Sequence, residues 1–145
     1  MQLKQLLIVP ALLSPICALA TPKAADSFPP NVSTGVLNIQ NYINGVINDI
    51  VQLNTKNIAL DYSSTGRSLA FLERDILPAG CKQNLPSPAK TANEAIGYLQ
   101  SVQLALSNVS LDAINNDLPK AQTDVCVAVN TYGGVAAYVQ AVRTT

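Results

Sequence analysis

Residues 36–53, VLNIQNYINGVINDIVQL, carry the pattern that decides the fold. Their apolar side chains recur at alternating spacings of three and four residues, which is typical of one face of an α-helix. The members of this stripe are Val36, Ile39, Ile43, Val46, Ile50 and Leu53. The opposite face is rich in asparagine, a mediocre helix former, so burial of the stripe must stabilise the helix. Ser33 or Thr34 is a candidate cap for its first turn.

Three more segments repeat this period. Their stripes are, in order, Tyr62, Thr65, Leu69, Leu72 and Ile76; then Ala92, Ala95, Leu99, Val102 and Leu106; and last Leu118, Ala121, Val125, Ala128, Tyr132, Val135, Val139 and Val142. Pro78 and Gly80 end the second segment. Ser87 followed by Pro88 predicts the start of the third, as a cap with a proline in the first turn.

The region before and within the last segment contains further boundary signals. Ser110 is a candidate cap for a short turn around Leu111 and Ile114. Asp117, with a proline two residues later, predicts the start of the last helix. The glycine pair at 133–134 predicts a bend or a break within that helix.

Four amphipathic segments joined by connections without strand patterns predict an all-α fold, an antiparallel four- to five-helix bundle with one disulfide. The expected organisation has three parts. Residues 1–20 form a signal peptide, residues 21–32 form an extended leader, and residues 33–145 form the helical bundle domain.

The first twenty residues have the features of a secretory signal peptide. Lys4 supplies a positive charge, residues 6–19 are largely apolar, and Ala18-Leu19-Ala20 is a small-residue cleavage site. We expect the mature chain to begin at Thr21 and to be secreted, either extracellular or associated with a cell wall. The apolar stretch is short and interrupted by prolines, so it does not predict a transmembrane anchor.

The amino-acid composition restricts the kinds of partner that the protein is expected to bind. Charged residues make up 12% of the chain, against a usual share of about 25%. Without the signal peptide, eight basic and nine acidic residues remain. Such a chain offers no strongly basic surface, so binding to nucleic acid or to an anionic membrane is not expected.

The cysteines predict a covalent link. Of the three, Cys17 belongs to the signal peptide, which leaves Cys81 and Cys126. An even count in a secreted chain predicts one disulfide, and a bridge between two chains is the alternative. An internal bridge would close a loop of roughly 45 residues and contribute about 4 kcal/mol in the chain-entropy description. Asn31 and Asn108 begin N-glycosylation sequons, and both are expected at helix boundaries.

The absence of histidine restricts the possible chemistry. It excludes Ser-His-Asp and Cys-His nucleophilic sites and the usual zinc and di-iron ligand sets. We interpret Asp112, Asp117 and Asp124 as solvated charges near helix starts rather than as an acid–base pair. We therefore expect a protein that is not an enzyme and has no metal or cofactor.

The apolar stripes are the remaining candidate for a binding site. The residues expected to face inward near the middle of the bundle are Val46, Ile50, Leu69, Leu72, Leu99, Val102, Ala128 and Tyr132. The small residues Gly45, Ala70, Ala95, Gly97 and Ala128 could leave room between helices for an acyl chain. The alternative is an ordinary packed core, in which larger side chains fill this space.

The whole pattern resembles the fungal hydrophobic surface-binding protein A family, which includes cell-wall galactomannoproteins. The similarity lies in a signal peptide ending in ALA-TP, in Ile39-x3-Ile43-x2-Val46-x3-Ile50-x2-Leu53, and in Ser68-Leu69-x2-Leu72-x3-Ile76. It covers most of residues 33–143, and the cysteine pair departs from many members. The resemblance implies a helical bundle that binds lipids or adsorbs to apolar surfaces, sometimes presenting a secreted enzyme there.

A second resemblance is to plant-type invertase and pectin methylesterase inhibitors, which are also secreted four-helix bundles. Those proteins have an N-terminal disulfide-bonded hairpin, whereas no cysteine occurs here between Thr21 and Leu77. Our leading hypothesis is a secreted, non-enzymatic binding protein for lipid, fatty acid or hydrophobic surfaces. The alternative is a secreted helical-bundle inhibitor or effector that binds another protein, such as a host protein.

Overall fold

The computed structural model describes residues 28–144, so the predicted signal peptide and residues 21–27 of the predicted leader lie outside the described residues. The described residues form five helices: α1 (Val32–Val51), α2 (Thr55–Ile76), α3 (Ala92–Ile114), α4 (Leu118–Gly133) and α5 (Ala136–Arg143). No strand occurs between residues 28 and 144. The predicted all-α bundle is confirmed.

The helices form two hairpins, α1–α2 and α3–α4, that pack against each other. Within each hairpin a three-residue turn, at 52–54 or 115–117, reverses the chain. Helix α1 packs on α3, and α2 packs on α4 and α5. The side-chain amide of Gln122 donates to the carbonyl of Ile76 at 3.1 Å. Because this contact brings the end of α2 beside the start of α4, these two helices run antiparallel.

One apolar core lies between the two hairpins. Ile43 and Val46 from α1 and Leu99 and Leu106 from α3 are completely buried. Burial of such side chains stabilises the fold by about 1.5–3 kcal/mol each. This burial offsets the poor helix propensity of the asparagine-rich face of α1.

The boundaries of α1 differ from the prediction at both ends. The cap residue is Asn31, whose side chain makes no capping hydrogen bond, so Ser33 and Thr34 lie inside the helix. Helix α1 ends at Val51, and Leu53 lies in the following turn with a φ of 57° and 72% of its surface exposed. The prediction that Leu53 belongs to the buried stripe is therefore wrong.

The boundaries of α3 differ as well. The helix begins at Ala92 rather than after Ser87, because Thr91 and Glu94 form a capping box in which each side chain accepts a hydrogen bond from the other's backbone N–H. Helix α3 continues without a break past Ser110, so this residue caps no separate turn.

The signals around α4 are confirmed. Asp117 caps the helix, and its side chain accepts a hydrogen bond from the backbone N–H of Lys120 at 3.2 Å. The glycine pair does break the last segment, because α4 ends at Gly133 and α5 begins at Ala136.

Residues 77–91, called the strap below, connect α2 to α3 and run along α4. Cys81 is disulfide-bonded to Cys126, and their Cα atoms are 5.4 Å apart. Further along the strap, the backbone N–H of Ala89 donates to the carbonyl of Gly134 at 2.9 Å. The predicted disulfide within one chain is thereby confirmed, and it fastens the strap along the second hairpin.

The two hairpins are related by an approximate two-fold axis perpendicular to the helices. The side-chain amide of Gln40 donates to the Gln103 carbonyl at 2.9 Å, and that of Gln103 donates to the Gln40 carbonyl at 3.2 Å. Gln40 also donates to Ser107 Oγ at 2.9 Å, and Gln103 donates to Asn44 Oδ1 at 2.7 Å. Such reciprocal contacts are typical of a two-fold interface, and equivalent residues differ by 63 in number.

The same correspondence holds for the two hairpin turns. The N–H of Asn54 donates to the carbonyl of Asp49, and the N–H of Asp117 donates to that of Asp112, both at 2.8 Å. The middle residue of each turn is left-handed, with φ values of 57° and 54°. The chain therefore uses one hairpin geometry twice.

Candidate binding surfaces

All eight side chains predicted to face inward are buried, each with at most 7% of its surface exposed (Val46, Ile50, Leu69, Leu72, Leu99, Val102, Ala128 and Tyr132). They belong to the packed core between the hairpins. Gly45 and Gly97 have open space beside them and Ala70 is exposed, so these three small residues do not create space inside the core. An internal slot for an acyl chain stays a prediction.

An exposed apolar stripe runs along the outer face of α3, and it is called the α3 stripe below. Its members are Leu104, Leu111 and Ile114, which are 65%, 53% and 76% exposed. Their spacings of seven and three residues place them on one side of the helix. Exposed apolar side chains that share one side of a helix are candidates for an interaction surface.

The two sequons lie in different environments. Asn31 is exposed and immediately precedes α1, as predicted. Asn108 lies inside α3 and is partly buried, so its predicted position at a helix boundary is wrong. The reason is that α3 continues to Ile114 instead of ending before Ser110. Glycosylation of either residue stays a prediction.

A groove on the outer side of the first hairpin separates α1 from α2, and it is called the open groove below. It consists of two adjoining cavities of about 250 and 430 Å³. Both are lined by Tyr42 and Phe71, which are 52% and 54% exposed. The guanidinium carbon of Arg74 lies 4.8 Å from the centre of the Phe71 ring, a cation–π contact that supports the ring. Pro29 and Pro30 line one end of the groove.

The strap covers one end of the equivalent groove of the second hairpin, while Leu104 and Val127 further along it are 65% and 49% exposed. Leu85 and Pro86 rest on the glycine pair at 133–134, since a Cβ there would lie only 2.7 and 2.6 Å from their side chains. The hydroxyl of Tyr98 donates to the carbonyl of Ser87 at 2.7 Å. The glycine pair thus admits the strap in addition to breaking the helix, and the sequence pattern predicted the break alone.

A pair of aspartates lies near the turn of each hairpin, at equivalent positions. Asp49 neighbours Asp61 in the first, and Asp112 neighbours Asp124 in the second. One carboxyl oxygen of Asp49 and one of Asp112 is buried without a hydrogen-bond partner. Burial first, and then the hydrogen bond and charge of the neighbouring aspartate, raise the pKa of Asp49 and of Asp112 to about 6. Asp49 and Asp112 therefore each hold a proton in mildly acidic solution.

The two pairs differ in their cation. Nζ of Lys120 lies 3.5 Å from Asp112 Oδ1 and 3.0 Å from Asp124 Oδ2, and its charge partly opposes the rise of the Asp112 pKa. The equivalent position of the first hairpin holds Asn57. The interpretation of Asp112 as a solvated charge near a helix start is wrong, because it lies near the end of α3 and is 2% exposed.

A sequence signal for these pairs exists. Each pair is separated by twelve residues, and Asp49 and Asp112 each follow a buried valine by three residues, on the apolar side of their helix. The same spacing between two acidic residues occurs twice, and each time the first residue lies next to an apolar stripe. This pattern would have predicted two pairs of buried carboxyl groups.

A pair of tyrosines joins α2 to α4. The rings of Tyr62 and Tyr132 are stacked with their centres 4.4 Å apart. The Tyr62 hydroxyl donates to the Tyr132 carbonyl at 2.7 Å, and the Tyr132 hydroxyl donates to the Tyr62 carbonyl. Burial raises the pKa of Tyr62 to about 12 and raises that of Tyr132 as well. Both hydroxyls therefore act as structural hydrogen-bond donors at neutral pH.

Within residues 28–144, no three His, Cys, Asp or Glu residues come together to hold a metal ion. The stretch Leu118–Arg143 is long and apolar enough to cross a membrane, with a mean hydropathy of 1.3, and 39% of its most apolar window is buried. It comprises α4 and α5, and its buried residues belong to the core, as in many core helices of soluble proteins.

Comparisons with protein-family models, with curated proteins and with solved structures return no match for this chain. The family resemblance of the sequence accordingly stays a prediction.

Proposed function

We propose that this chain is a secreted, non-enzymatic protein that binds apolar surfaces, such as lipid assemblies, through the α3 stripe. The observation that supports the proposal most directly is the exposure of Leu104, Leu111 and Ile114 on one helix face. Leucine and isoleucine on a solvent-facing helix side contribute nothing to the core, whereas they gain free energy when an apolar surface covers them.

The size of this gain is modest. Full burial of one such side chain is worth roughly 1.5–3 kcal/mol, so three partly exposed ones contribute on the order of 4 kcal/mol. This amount supports reversible adsorption rather than permanent insertion. Without the signal peptide, eight basic and nine acidic residues leave a formal net charge of −1, so adsorption should depend little on salt.

Binding at the α3 stripe leaves the bundle closed. The core residues are buried, and the disulfide fastens the strap to α4. An internal acyl-chain site would instead require the two hairpins to separate. The surface stripe therefore agrees better with the geometry than a slot between the helices.

The test is adsorption of the unglycosylated protein to neutral phosphatidylcholine vesicles and to octyl-coated beads. We expect the variant Leu104→Gln/Leu111→Gln/Ile114→Gln to bind several hundredfold more weakly, because the loss of about 4 kcal/mol corresponds to nearly three factors of ten. The matched control replaces Leu37, Val51 and Leu60 by glutamine, because these are 57%, 64% and 63% exposed and lie on α1 and α2.

The control variant should retain adsorption within about threefold. Equal losses in the two variants would contradict a specific role of α3 and would indicate general adsorption. If neither surface retains the wild-type protein and a pull-down recovers a protein instead, the inhibitor or effector hypothesis would be favoured.

A further inference from the structure

We propose that an N-linked glycan on Asn31 lies along the open groove and covers its aromatic side chains. The proposal shares the predicted secretion with the proposed function, but it concerns a different surface, since the groove lies between α1 and α2 and the apolar stripe lies on α3. It rests on three observations. The sequon asparagine itself lines the groove, its side chain makes no capping bond, and the groove leads from it to two half-exposed rings.

The first sequon is well placed for modification. Asn31 and Ser33, the two residues that define it, are both exposed, and Val32 between them is buried in the core. Asn31 precedes α1 with a φ of 65°, and its side chain makes no capping hydrogen bond. A sugar on its amide nitrogen therefore costs α1 no cap. The second sequon differs, because Asn108 lies partly buried inside α3.

The modification itself is an ordinary N-glycosylation. The donor is an oligosaccharide joined to a lipid through a diphosphate. The amide nitrogen of Asn31 forms a bond to C1 of the first N-acetylglucosamine, the bond from C1 to the diphosphate oxygen breaks, the amide loses one proton, and the lipid diphosphate leaves. The product keeps one amide N–H and carries a bulky, hydrated group at the mouth of the groove.

One face of α1 forms a path for the sugars. Gly35, Asn38 and Tyr42 follow Asn31 at spacings of four, three and four residues, so they share one side of the helix, and all of them line the groove. A Cβ at Gly35 would have no atom within 4 Å outside its own helix segment, which leaves the surface beside Asn31 unobstructed. From Asn31 to Tyr42 the helix rises by about 16 Å. The first sugars of a glycan therefore extend from the attachment point toward the aromatic side chains.

The lining suits both kinds of sugar surface. Tyr42 and Phe71 each leave about half of their surface in solvent. A sugar ring presents C–H groups on its faces, and the negative face of an aromatic ring attracts such groups. Asn38, Ser68 and Asp75 bring an amide, a hydroxyl and a carboxylate to the same cavity, where they can hydrogen-bond to sugar hydroxyls. The groove thus combines aromatic faces and polar side chains beside an attachment point for carbohydrate.

The corresponding end of the second hairpin is filled by protein. Tyr98 stands at the position equivalent to Gly35, and its hydroxyl donates to the carbonyl of Ser87 in the strap at 2.7 Å. The first hairpin has neither this ring nor a strap among the described residues. The space that the glycine leaves is therefore the space into which the glycan fits.

The test compares the glycosylated protein with the variant Ser33→Ala, both secreted from a eukaryotic host. The variant removes the first sequon but keeps Asn31 and every side chain that lines the groove, and Ser110→Ala in both samples removes the second sequon. Mass spectrometry should find a glycan on Asn31 in the glycosylated sample alone. This sample should melt about 4 °C above Ser33→Ala, the scale of one aromatic contact in a domain of this size.

The role of the two rings is tested by repeating the comparison in other backgrounds. In Tyr42→Ser/Phe71→Ser the difference in melting temperature should disappear. In the matched control Leu104→Ser/Leu111→Ser, which alters the other hairpin, the difference should remain. If the aromatic variant folds poorly, NMR of the glycosylated protein with both rings intact gives the answer, because sugar protons should show nuclear Overhauser contacts to the ring protons of Tyr42 and Phe71.

The outcomes separate this proposal from the proposed function. A secreted protein with an unmodified Asn31 would overturn the glycan proposal alone, since adsorption through the α3 stripe requires no sugar. Failure of the chain to be secreted would overturn both. A glycan on Asn31 without contacts to the rings, or with no effect on the melting temperature, would indicate a glycan that extends into solvent and would overturn the proposed covering of the groove.

Discussion

The two hairpins share a turn, a register and an aspartate pair, yet they are held together by different means. Helices α3 and α4 begin with side-chain caps from Thr91 and Asp117, whereas α1 and α2 begin without a side-chain capping bond. The second hairpin also has the strap, the disulfide and a lysine between its aspartates. The first hairpin depends on apolar burial, and its outer groove stays open.

This difference teaches that the apolar stripes and the turn geometry are sufficient to build each hairpin. The caps, the bridge and the ion pair are additions that rigidify one copy. Local opening should therefore occur more readily in α1 and α2 than in α3 and α4.

The largest effect is expected from removal of the disulfide. The variant Cys81→Ser/Cys126→Ser should lose about 4 kcal/mol of unfolding free energy, because the unfolded chain regains the freedom of a long loop. Urea unfolding measures this loss. Hydrogen exchange should show that protection decreases most in the strap and in α4.

The wild-type protein treated with a reductant is the control for the two serines and should behave like the variant. If protection falls equally in both hairpins, or first in α1, the bridge does not fasten the second hairpin selectively. The two hairpins would then be held together to a similar degree.

The next effect concerns pH. The pKa of Asp112 is about 6 in the folded state, compared with the ordinary aspartate value of 3.8 that applies to the unfolded chain. The folded protein therefore takes up a proton between these values, and the resulting stabilisation is complete below about pH 4 and is lost as the pH rises through 6. Asp112→Asn should remove a pH-dependent difference on the order of 2 kcal/mol between pH 4.5 and pH 7.5. Urea unfolding at several pH values checks this expectation.

The exposed Asp75 provides the matched control, because Asp75→Asn should leave the wild-type pH dependence in place. A variant Asn57→Lys would copy the cation of the second hairpin into the first. Since the charge of Lys120 lowers the pKa of Asp112, the new lysine should lower the pKa of Asp49. Carboxyl-carbon NMR titration measures both values, and an unchanged Asp49 would show that the two pairs are not equivalent.

The smallest expected effect is a difference in unfolding free energy between substitutions at the cap residues of α4 and α2, the two helices that follow the turns. Asp117→Ala should cost about 1 kcal/mol, because it removes the capping bond to the backbone N–H of Lys120. Asn54→Ala at the equivalent position should cost little, since the Asn54 side chain makes no capping bond. Thermal or urea unfolding compares them, and equal losses would contradict the assignment of a cap to α4 alone.

The sequence predicts much of the architecture for a physical reason. Apolar residues at helical spacing must be buried, and this requirement correctly placed Ile43, Leu99 and Val125 in the core. It also limited the fold to helices packed on helices. The disulfide followed from the number of cysteines and from the path that the strap had to take.

Other features were missed because they depend on interactions between distant segments. The period of α1 extends to Leu53, but the turn geometry ends the helix earlier and exposes this side chain. Ser87 precedes a proline and has the sequence pattern of a helix cap. It lies in the strap instead, where its carbonyl accepts a hydrogen bond from the hydroxyl of Tyr98 in α3. The exposed stripe of α3 and the open groove involve residues outside the buried stripes, and periodicity does not predict what covers them.

The path of the strap has a consequence for the order of folding. Each hairpin is closed by a short turn, so its contacts are local and form quickly. The strap instead runs from the end of α2 along α4 to the start of α3, and the two cysteines of the disulfide are 45 residues apart in sequence. The Cys81–Cys126 disulfide should therefore form last, after the helices have assembled, and should stabilise a bundle that is already folded.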